Sequence, residues 1–214
     1  EWEDPDWAGR FLIRDIKMES IMILPTIAYK INDQFSIGLG LFYGFDEVTI
    51  NKALPITGPN GEANAELSGK TTNLGVNAGI IFKLTENLTV GASYRSRSMV
   101  KLDEGDAHFT NIPVSLSAMF PADNKFSAEL PFPSNLNFGI SYKPNEKLLL
   151  ALDVNNVSWK AYDSLIFDFK TNTTLLQDSY NPRKYKNTVI IRLGAQYCPS
   201  EKLALRGGVY YDQT

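Results

Sequence analysis

Four times along the chain an aromatic residue, a short polar turn carrying Asp or Glu, and a Leu or Phe that restarts an alternating pattern follow one another. The four units are "YKINDQFSIGLG" (29–40), "FKLTENLTVGAS" (82–93), "YKPNEKLLLALD" (142–153) and "YCPSEKLALRGG" (197–208). In the third, Leu136, Phe138, Ile140 and Tyr142 alternate with Asn135, Asn137, Gly139 and Ser141, and beyond the turn Leu148, Leu150, Leu152 and Val154 do the same. Successive side chains of a strand point to opposite faces, so each unit is a hairpin with one oily face and one polar face. A repeated hairpin constrains the fold more than any single motif: the chain is all-β and antiparallel. The open question is which face meets solvent, and what that solvent is.

Connection lengths bear on it. The turns inside the units are short, whereas "NKALPITGPNGEANAELSG", the segment 101–133 and "TNTTLLQDSYNPRKYK" are long. Short turns at one end and long loops at the other are the asymmetry of a transmembrane β-barrel. Structureless loops of that length fit a compact soluble domain poorly.

The faces agree. The oily set includes Phe35, Ile37, Leu39, Leu41 and Tyr43, then Leu74, Val76, Ala78, Ile80 and Phe82, then Leu203, Leu205, Val209 and Tyr211. It carries almost no charge over a length that lets a tilted strand cross a bilayer. The opposite set is Gly, Ser and Asn with a few Arg and Asp, a composition suited to a crowded, watery lumen. Tyr29, Phe82, Tyr142 and Tyr197 fall at the turn end, and Tyr43, Tyr94 and Tyr211 near the loop end, as two aromatic girdles. The oily face is therefore read as facing lipid; a soluble sandwich or lipocalin-like cup is the competing architecture.

Strands are expected near 17–30, 35–50, 70–83, 88–101, 134–143, 148–170, 187–197 and 203–213. The chain opens without an initiator methionine or a basic-then-apolar leader, and "VYYDQT" closes it at the loop end with no return strand. Residues 1–214 are thus expected to be one internal section of a larger barrel.

Composition excludes other classes. A hydrophobic share of 43% and a net charge of -3 suggest neither disorder nor nucleic-acid binding. No run approaches the ~20 apolar residues of a membrane helix. Cys198 is the only cysteine, so no internal disulfide forms and a thiolate metal set is not expected; its reading is a packed thiol. His108, the single histidine, sits among Asp106, Ala107 and Phe109 with no serine partner that sequence can place, so it reads as a surface loop residue and no enzyme is expected. Asp103, Glu104 and Asp106 read as a solvated run, with divalent ions bridging lipopolysaccharide as the alternative. No cofactor or metal site is expected.

"DWAGRFLI" (6–13), "PTIAYKINDQFSIGLGL" (25–41), "VGASYRS" (90–96), "LPFPSNLNFGISYKPNEKLLLALDVN" (130–155) and "LRGGVYYDQT" (205–214) resemble the outer-membrane long-chain fatty-acid transporters, the FadL/TodX family. The resemblance implies a barrel of about 14 strands, plugged by an N-terminal hatch, of which this chain holds about eight. It also implies uptake of fatty acids or aromatic hydrocarbons, with ligands leaving sideways through the wall. The hatch, the early strands with the lateral opening and the last strands would lie outside this chain.

Toward the loop end Phe42, Val48, Ile50, Met99, Phe167, Phe169 and Ile190 share the inner parity, and Lys52, Arg95, Arg97, Lys186 and Arg192 are mixed among them. An apolar pocket with one or two cations suits an amphiphile with a carboxylate head, since the tail gains roughly 0.8 kcal/mol per buried methylene and the head pairs with Lys or Arg. The resemblance places Lys52 and Lys186 where family members carry head-group-binding bases. The expected site is thus Lys52, Lys186, Arg97, Phe42, Ile50 and Val48, and the expected partners are a long-chain fatty acid or similar hydrophobe, outer-membrane lipid and lipopolysaccharide, with the protein a monomer. Arg95, Arg192 and Arg206 are instead expected to pair with Asp46, Asp153 and Asp212. Aromatic hydrocarbon uptake and a general porin are the alternatives. The apolar stretch "IPVSLSAMFP" in 101–133 is read as an entry groove or a packed lid.

Overall fold

A computed structural model describes residues 7–213; residues 1–6, read above as no leader, and Thr214 lie outside the described residues. The fold is one antiparallel sheet of thirteen strands. In chain order they are β1 (Asp15–Ile23), β2 (Thr26–Lys30), β3 (Phe35–Gly58), β4 (Gly61–Lys83), β5 (Leu88–Arg95), β6 (Ser98–Thr110) and β7 (Asn124–Phe132). Then follow β8 (Asn135–Asn145), β9 (Leu148–Val157), β10 (Ser164–Phe169), β11 (Ser179–Pro182), β12 (Thr188–Ser200) and β13 (Leu203–Asp212).

More strands appear than the alternation suggested, because several are interrupted. Pro25 lacks an N–H and parts β1 from β2, yet Ile23 opposite Tyr43 and Thr26 opposite Gly40 keep one register on β3. Ser96 and Arg97 part β5 from β6, and the stretch expected as 148–170 breaks between β9 and β10 around a short 3-10 turn, Trp159–Ala161.

The sheet forks at β4. Near the turns it runs β2-β3-β4-β5-β8-β9-β12-β13, and near the loops β1-β3-β4-β6-β7-β10-β11. The first branch is the barrel wall. One outward row crosses all eight of its strands: Tyr29, Ile37, Ile80, Ala92, Phe138, Val154, Ile191 and Tyr211. The parallel inward row reads Ala28, Gly38, Gly79, Ser93, Asn137, Asn155, Ile190 and Asp212. The oily face is exposed, from Leu39 and Leu74 to Phe138 and Leu205. Its short turns close with side-chain caps, as where Asn32 Oδ1 accepts the Gln34 and Phe35 amides at 2.9 and 2.8 Å.

The long "loops" are mostly sheet. β3 and β4 pair without a break from Phe35–Phe82 to Leu54–Ala63, so the segment expected as the first loop is the top of a tall hairpin. At its tip Gly61 adopts φ +108°, which favours glycine. Asn111 clamps that tip, accepting the Asn60 amide at 3.0 Å and donating to the Gly61 carbonyl at 2.8 Å. Segment 101–133 is likewise the β6–β7 hairpin, joined by a 3-10 turn, Val114–Met119. His108 is thus on a strand, exposed and opposite Glu66, not in a loop.

The one buried apolar cluster among the described residues lies in the loop-end branch. It gathers Leu67, Leu102, Ala107, Phe120, Phe126, Phe169 and Leu176, with Val48, Ile50, Leu54, Ile56 and Phe167 packed against it.

Candidate functional site

The loop-end branch curls over the inner face of β3 and β4. A bulge between Leu102 and Gly105 lets β6 bend while staying paired, and β10 pairs with β7 through Phe167–Ala128 and Phe169–Phe126. One face of β6, β7 and β10 then presents Val100, Leu102, Phe126, Leu130, Leu165 and Phe167; opposite stand Ile16, Met18, Val48, Ile50 and Leu67. Between them lies a cavity of about 160 Å³. Among the described residues, the only charged one lining it is Arg183, which follows β11 directly. Its guanidinium stands 5.9 Å from the Tyr162 ring, another lining residue, and its amide donates to the Asp163 carbonyl at 2.7 Å.

Of the residues expected from sequence, Val48 and Ile50 line this cavity. Lys52 lies on the same face of β3, half-buried opposite Ala65, but outside the lining. Lys186 is exposed in the connection between β11 and β12. Phe42 is buried to 2% exposure nearer the wall, where its ring fills the space a side chain at Gly75 would need and Arg95 lies 5.9 Å over it. Arg97 and Met99 line a separate cleft of about 310 Å³ on the other face of β6, β7 and β10, with Lys101, Glu129, Asp163 and Asp168. The break at Ser96–Arg97 shifts the parity that sequence had carried through, so Met99 leaves the inner apolar set. Phe167 and Phe169 do join the apolar cluster.

Arg183 was missed. It belongs to no strand, so no parity assigns it, and only the pairing of β10 with β7 carries it to the cavity. Two of the three arginines expected to pair with carboxylates bind amides instead: Arg95 Nε donates to Asn77 Oδ1 at 3.2 Å and Arg206 Nε to Gln196 Oε1 at 2.6 Å; Arg192 stands opposite Asp153 in the β9–β12 ladder.

Below the cavity the inner wall is polar, with Asn77, Ser93, Arg95, Asn135, Asn137 and Asn155 around a hollow of about 430 Å³. On the cap's outer face the charges are mutually paired. Asp106 bonds Lys125, whose donated hydrogen bond holds that carboxyl below its usual range. Lys101 reaches Asp103 at 3.2 Å, and that hydrogen bond raises the amine above its usual value. Asp103 and Asp106 of the acidic run are therefore engaged by lysines, and no metal-ligating cluster occurs among the described residues. Cys198 is half-buried beside Gln196, whose Nε2 lies 3.4 Å from its Sγ.

A family model described as "Outer membrane protein transport protein (OMPP1/FadL/TodX)" matches residues 1–214. Outer membrane protein P1 of Haemophilus influenzae is 27% identical over 139 residues, covering 65% of this chain and 28% of that protein. Among solved structures, a FadL homologue of Pseudomonas aeruginosa superposes with a TM-score of 0.81 at 24% identity, over 99% of this chain and 53% of the other. The Ralstonia pickettii toluene transporter TbuX gives 0.72 at 17% identity, over 92% and 56%. The chain thus spans about half the length of these structures and about a quarter of P1.

Proposed function

The chain belongs to the outer membrane protein transport family (OMPP1/FadL/TodX), and on that premise we propose that it forms part of a passive channel for hydrophobic compounds whose loop-end cavity takes amphiphiles with an acid head, such as long-chain fatty acids. It is a part of an outer-membrane β-barrel, and its family is one of transport proteins. The observation that carries the reading is the cavity itself: apolar strands on both sides and Arg183 as the one charged lining residue among the described residues. Apolar walls favour the tail by roughly 25 cal/mol per Å² buried. A guanidinium at the rim pairs with a carboxylate through strong charge-assisted hydrogen bonds. Lys186, close to Arg183 in the chain, and Lys52, beyond Ile50 on the same face, would meet the head on its approach. A general porin is disfavoured by so apolar a lining.

A second reading, uptake of neutral aromatic hydrocarbons, is favoured by one feature. Arg183 is exposed, so an uncharged ligand would not strand a buried cation. The deciding experiment places the full-length gene in a Gram-negative host lacking fatty-acid uptake and compares oleate with toluene. Acid-headed transport predicts that Arg183→Ala, and to a lesser degree Lys52→Ala with Lys186→Ala, reduces oleate uptake at least tenfold, since hydrogen bonds to charged groups are worth about 1.5–3 kcal/mol. Oleate uptake indifferent to all three, with toluene carried, would give the site to neutral hydrocarbons. Uptake of neither by well-inserted wild type would sink both readings.

A further inference from the structure

At the top of the wall, two segments bring together cations that the protein does not pair. β9 ends at Val157, and β12 begins opposite it at Thr188. Just past this last rung the 3-10 turn Trp159–Ala161 runs beside residues 183–187. The Lys160 amide donates to Asn187 Oδ1 at 3.0 Å, and the Arg183 and Lys184 amides both donate to the Asp163 carbonyl, at 2.7 and 3.2 Å. The Tyr185 ring lies 6.1 Å from Trp159 and 5.5 Å from Tyr162. Four cations, Lys160, Arg183, Lys184 and Lys186, thus gather here around one carboxylate, Asp163.

None of the four forms an ion pair among the described residues. Lysines elsewhere on the outer surface do: Lys17 reaches Glu19 at 3.1 Å, Lys70 reaches Glu47 at 3.0 Å and Lys101 reaches Asp103 at 3.2 Å. Arg183 is occupied with the cavity, but Lys184, Tyr185 and Lys186 lie outside its lining and, with Trp159 and Lys160, are exposed. Lys184 takes φ +53°, uncommon for a residue other than Gly, Asn or Asp, so the chain turns just after the cavity arginine. Depth adds a second argument. The outward apolar row of β12 runs from Tyr197 to Val189 and that of β9 from Leu148 to Val154, and the next residues in each row are Asn187 and Asn156. The patch therefore begins where the lipid-facing band ends, the level at which Trp and Tyr settle among headgroups.

We propose that Trp159, Lys160, Lys184 and Tyr185 form a docking patch for the phosphate groups of an outer-leaflet glycolipid of the lipopolysaccharide class. Ammonium groups left without an acid in the protein pair with phosphate through charge-assisted hydrogen bonds. Those bonds gain strength beside a lipid surface, where the local dielectric falls. The acyl chains of the same lipid lie along Val154, Val189 and Ile191 directly below, and the two aromatic rings sit between chains and headgroup. A free phosphate would meet the cations but leave that apolar strip unused, so the occupant is a lipid. The proposal needs the barrel's lipid face and does not depend on what the cavity carries.

The test titrates the purified full-length protein in detergent with fluorescently labelled lipid A, with the same lipid stripped of its phosphates, and with inorganic phosphate as competitor. The quantity read is the preference for the phosphorylated lipid, as a ratio of dissociation constants. Wild type should show a preference of about tenfold or more, the worth of a hydrogen bond between charged groups, and lose much of it in high salt. Lys160→Glu with Lys184→Glu should abolish the preference. Lys160→Gln with Lys184→Gln should reduce it by a smaller factor, and serves if the charge reversal inserts poorly. Trp159→Ala should weaken both lipids alike and leave the ratio unchanged. Oleate uptake should stay at the wild-type level in the lysine variants. A wild type without preference, or a preference that the lysine variants leave intact, would overturn the proposal. Displacement of the lipid by inorganic phosphate would overturn the lipid assignment and make the patch a free-anion site. An intact lipid preference with impaired oleate uptake would give the lysines to ligand entry instead.

Discussion

The wall and the cap are built from the same two strands with opposite polarity. Along β3 the outward positions Phe35, Ile37, Leu39, Leu41, Tyr43 and Phe45 are apolar, and Glu47, Thr49 and Asn51 on that face are not. The inward positions invert in step: Ser36, Gly38 and Gly40 are small, while Val48, Ile50, Leu54 and Ile56 pack in the cap core. β4 mirrors this, with Leu74 and Val76 outward below and Leu67, Ala65 and Ala63 inward above. No register shift separates the two regimes, since the β3–β4 ladder is continuous across the change. A single strand thus changes which face is apolar where its surroundings change, from lipid outside to water outside. The stretch Phe35–Phe45 is roughly 33 Å of strand at ~3.3 Å per residue, enough when tilted to cross an apolar band of about 25 Å. Asp46 and Asn73 sit at the crossover.

The largest expected effect tests whether the cap has a core of its own. Phe126 is buried at 3% and tilts against Phe167 and Phe169. Phe126→Ala should cost about 3–5 kcal/mol of local stability, opening the cap and abolishing ligand binding. The wall, which shares none of those contacts, should still insert and show heat-modifiable gel mobility. Loss of insertion along with binding would mean that cap and wall fold as one unit.

Next in size is the lipid face. Leu39 is outward at mid-wall and 63% exposed. Leu39→Lys should destabilise the inserted barrel by about 2–4 kcal/mol, whereas Thr72→Lys, on the same face at the band's upper edge opposite Phe45, should cost about 0–1 kcal/mol. Denaturant unfolding from lipid vesicles measures both. Equal costs at the two depths would contradict a lipid boundary between Phe45 and Glu47.

Smaller still is the junction. Gly75→Ala would place a Cβ 2.1 Å from Phe42 Cζ, and overpacking of this kind costs about 1–3 kcal/mol. The ring should turn out of its niche, visible as a change in solvent access or relaxation of Phe42, without a change in the outward lipid contacts.

How legible these regions were follows from their physics. The wall was read from the alternation alone, because lipid enforces a period of two on every strand and short turns leave no freedom of register. Val48, Ile50, Phe167 and Phe169 were also placed correctly, as inward apolar residues. The cap was not read as sheet: its outward face carries Glu, Lys, Thr and Asn, so "NKALPITGPNGEANAELSG" looks like loop composition although it is paired strand. Met99 and Arg97 were carried to the wrong face by a break that leaves no mark in the alternation. Arg183 depends on β10 meeting β7, a pairing of segments distant in sequence that no local pattern encodes.

The smallest expected effect lies at the cap's outer tip, where the segment 7–14 is tied to the β3–β4 hairpin. Arg10 Nη2 and Arg14 Nη2 reach Glu62 at 2.8 and 3.1 Å. The Arg10 hydrogen bond above all, with the charges of both arginines, holds the Glu62 carboxyl below its ordinary value of 4.5. A carboxyl depressed in the folded state contributes stability that is full above the unfolded value and lost as pH falls through the folded one. The tie should therefore be unaffected from neutral pH down to about 4.5 and weaken in more acid solution. Hydrogen exchange at the Arg14 and Ala53 amides, which bond the Asn51 and Arg10 carbonyls, reads this directly once corrected for intrinsic rates. Glu62→Gln should show faster exchange at neutral pH and no further acid loosening at these amides. The same acid response in Glu62→Gln would assign the effect to another group. The wall amides of β12 and β13, which carry no such pair, serve as the internal control and should not respond over this range.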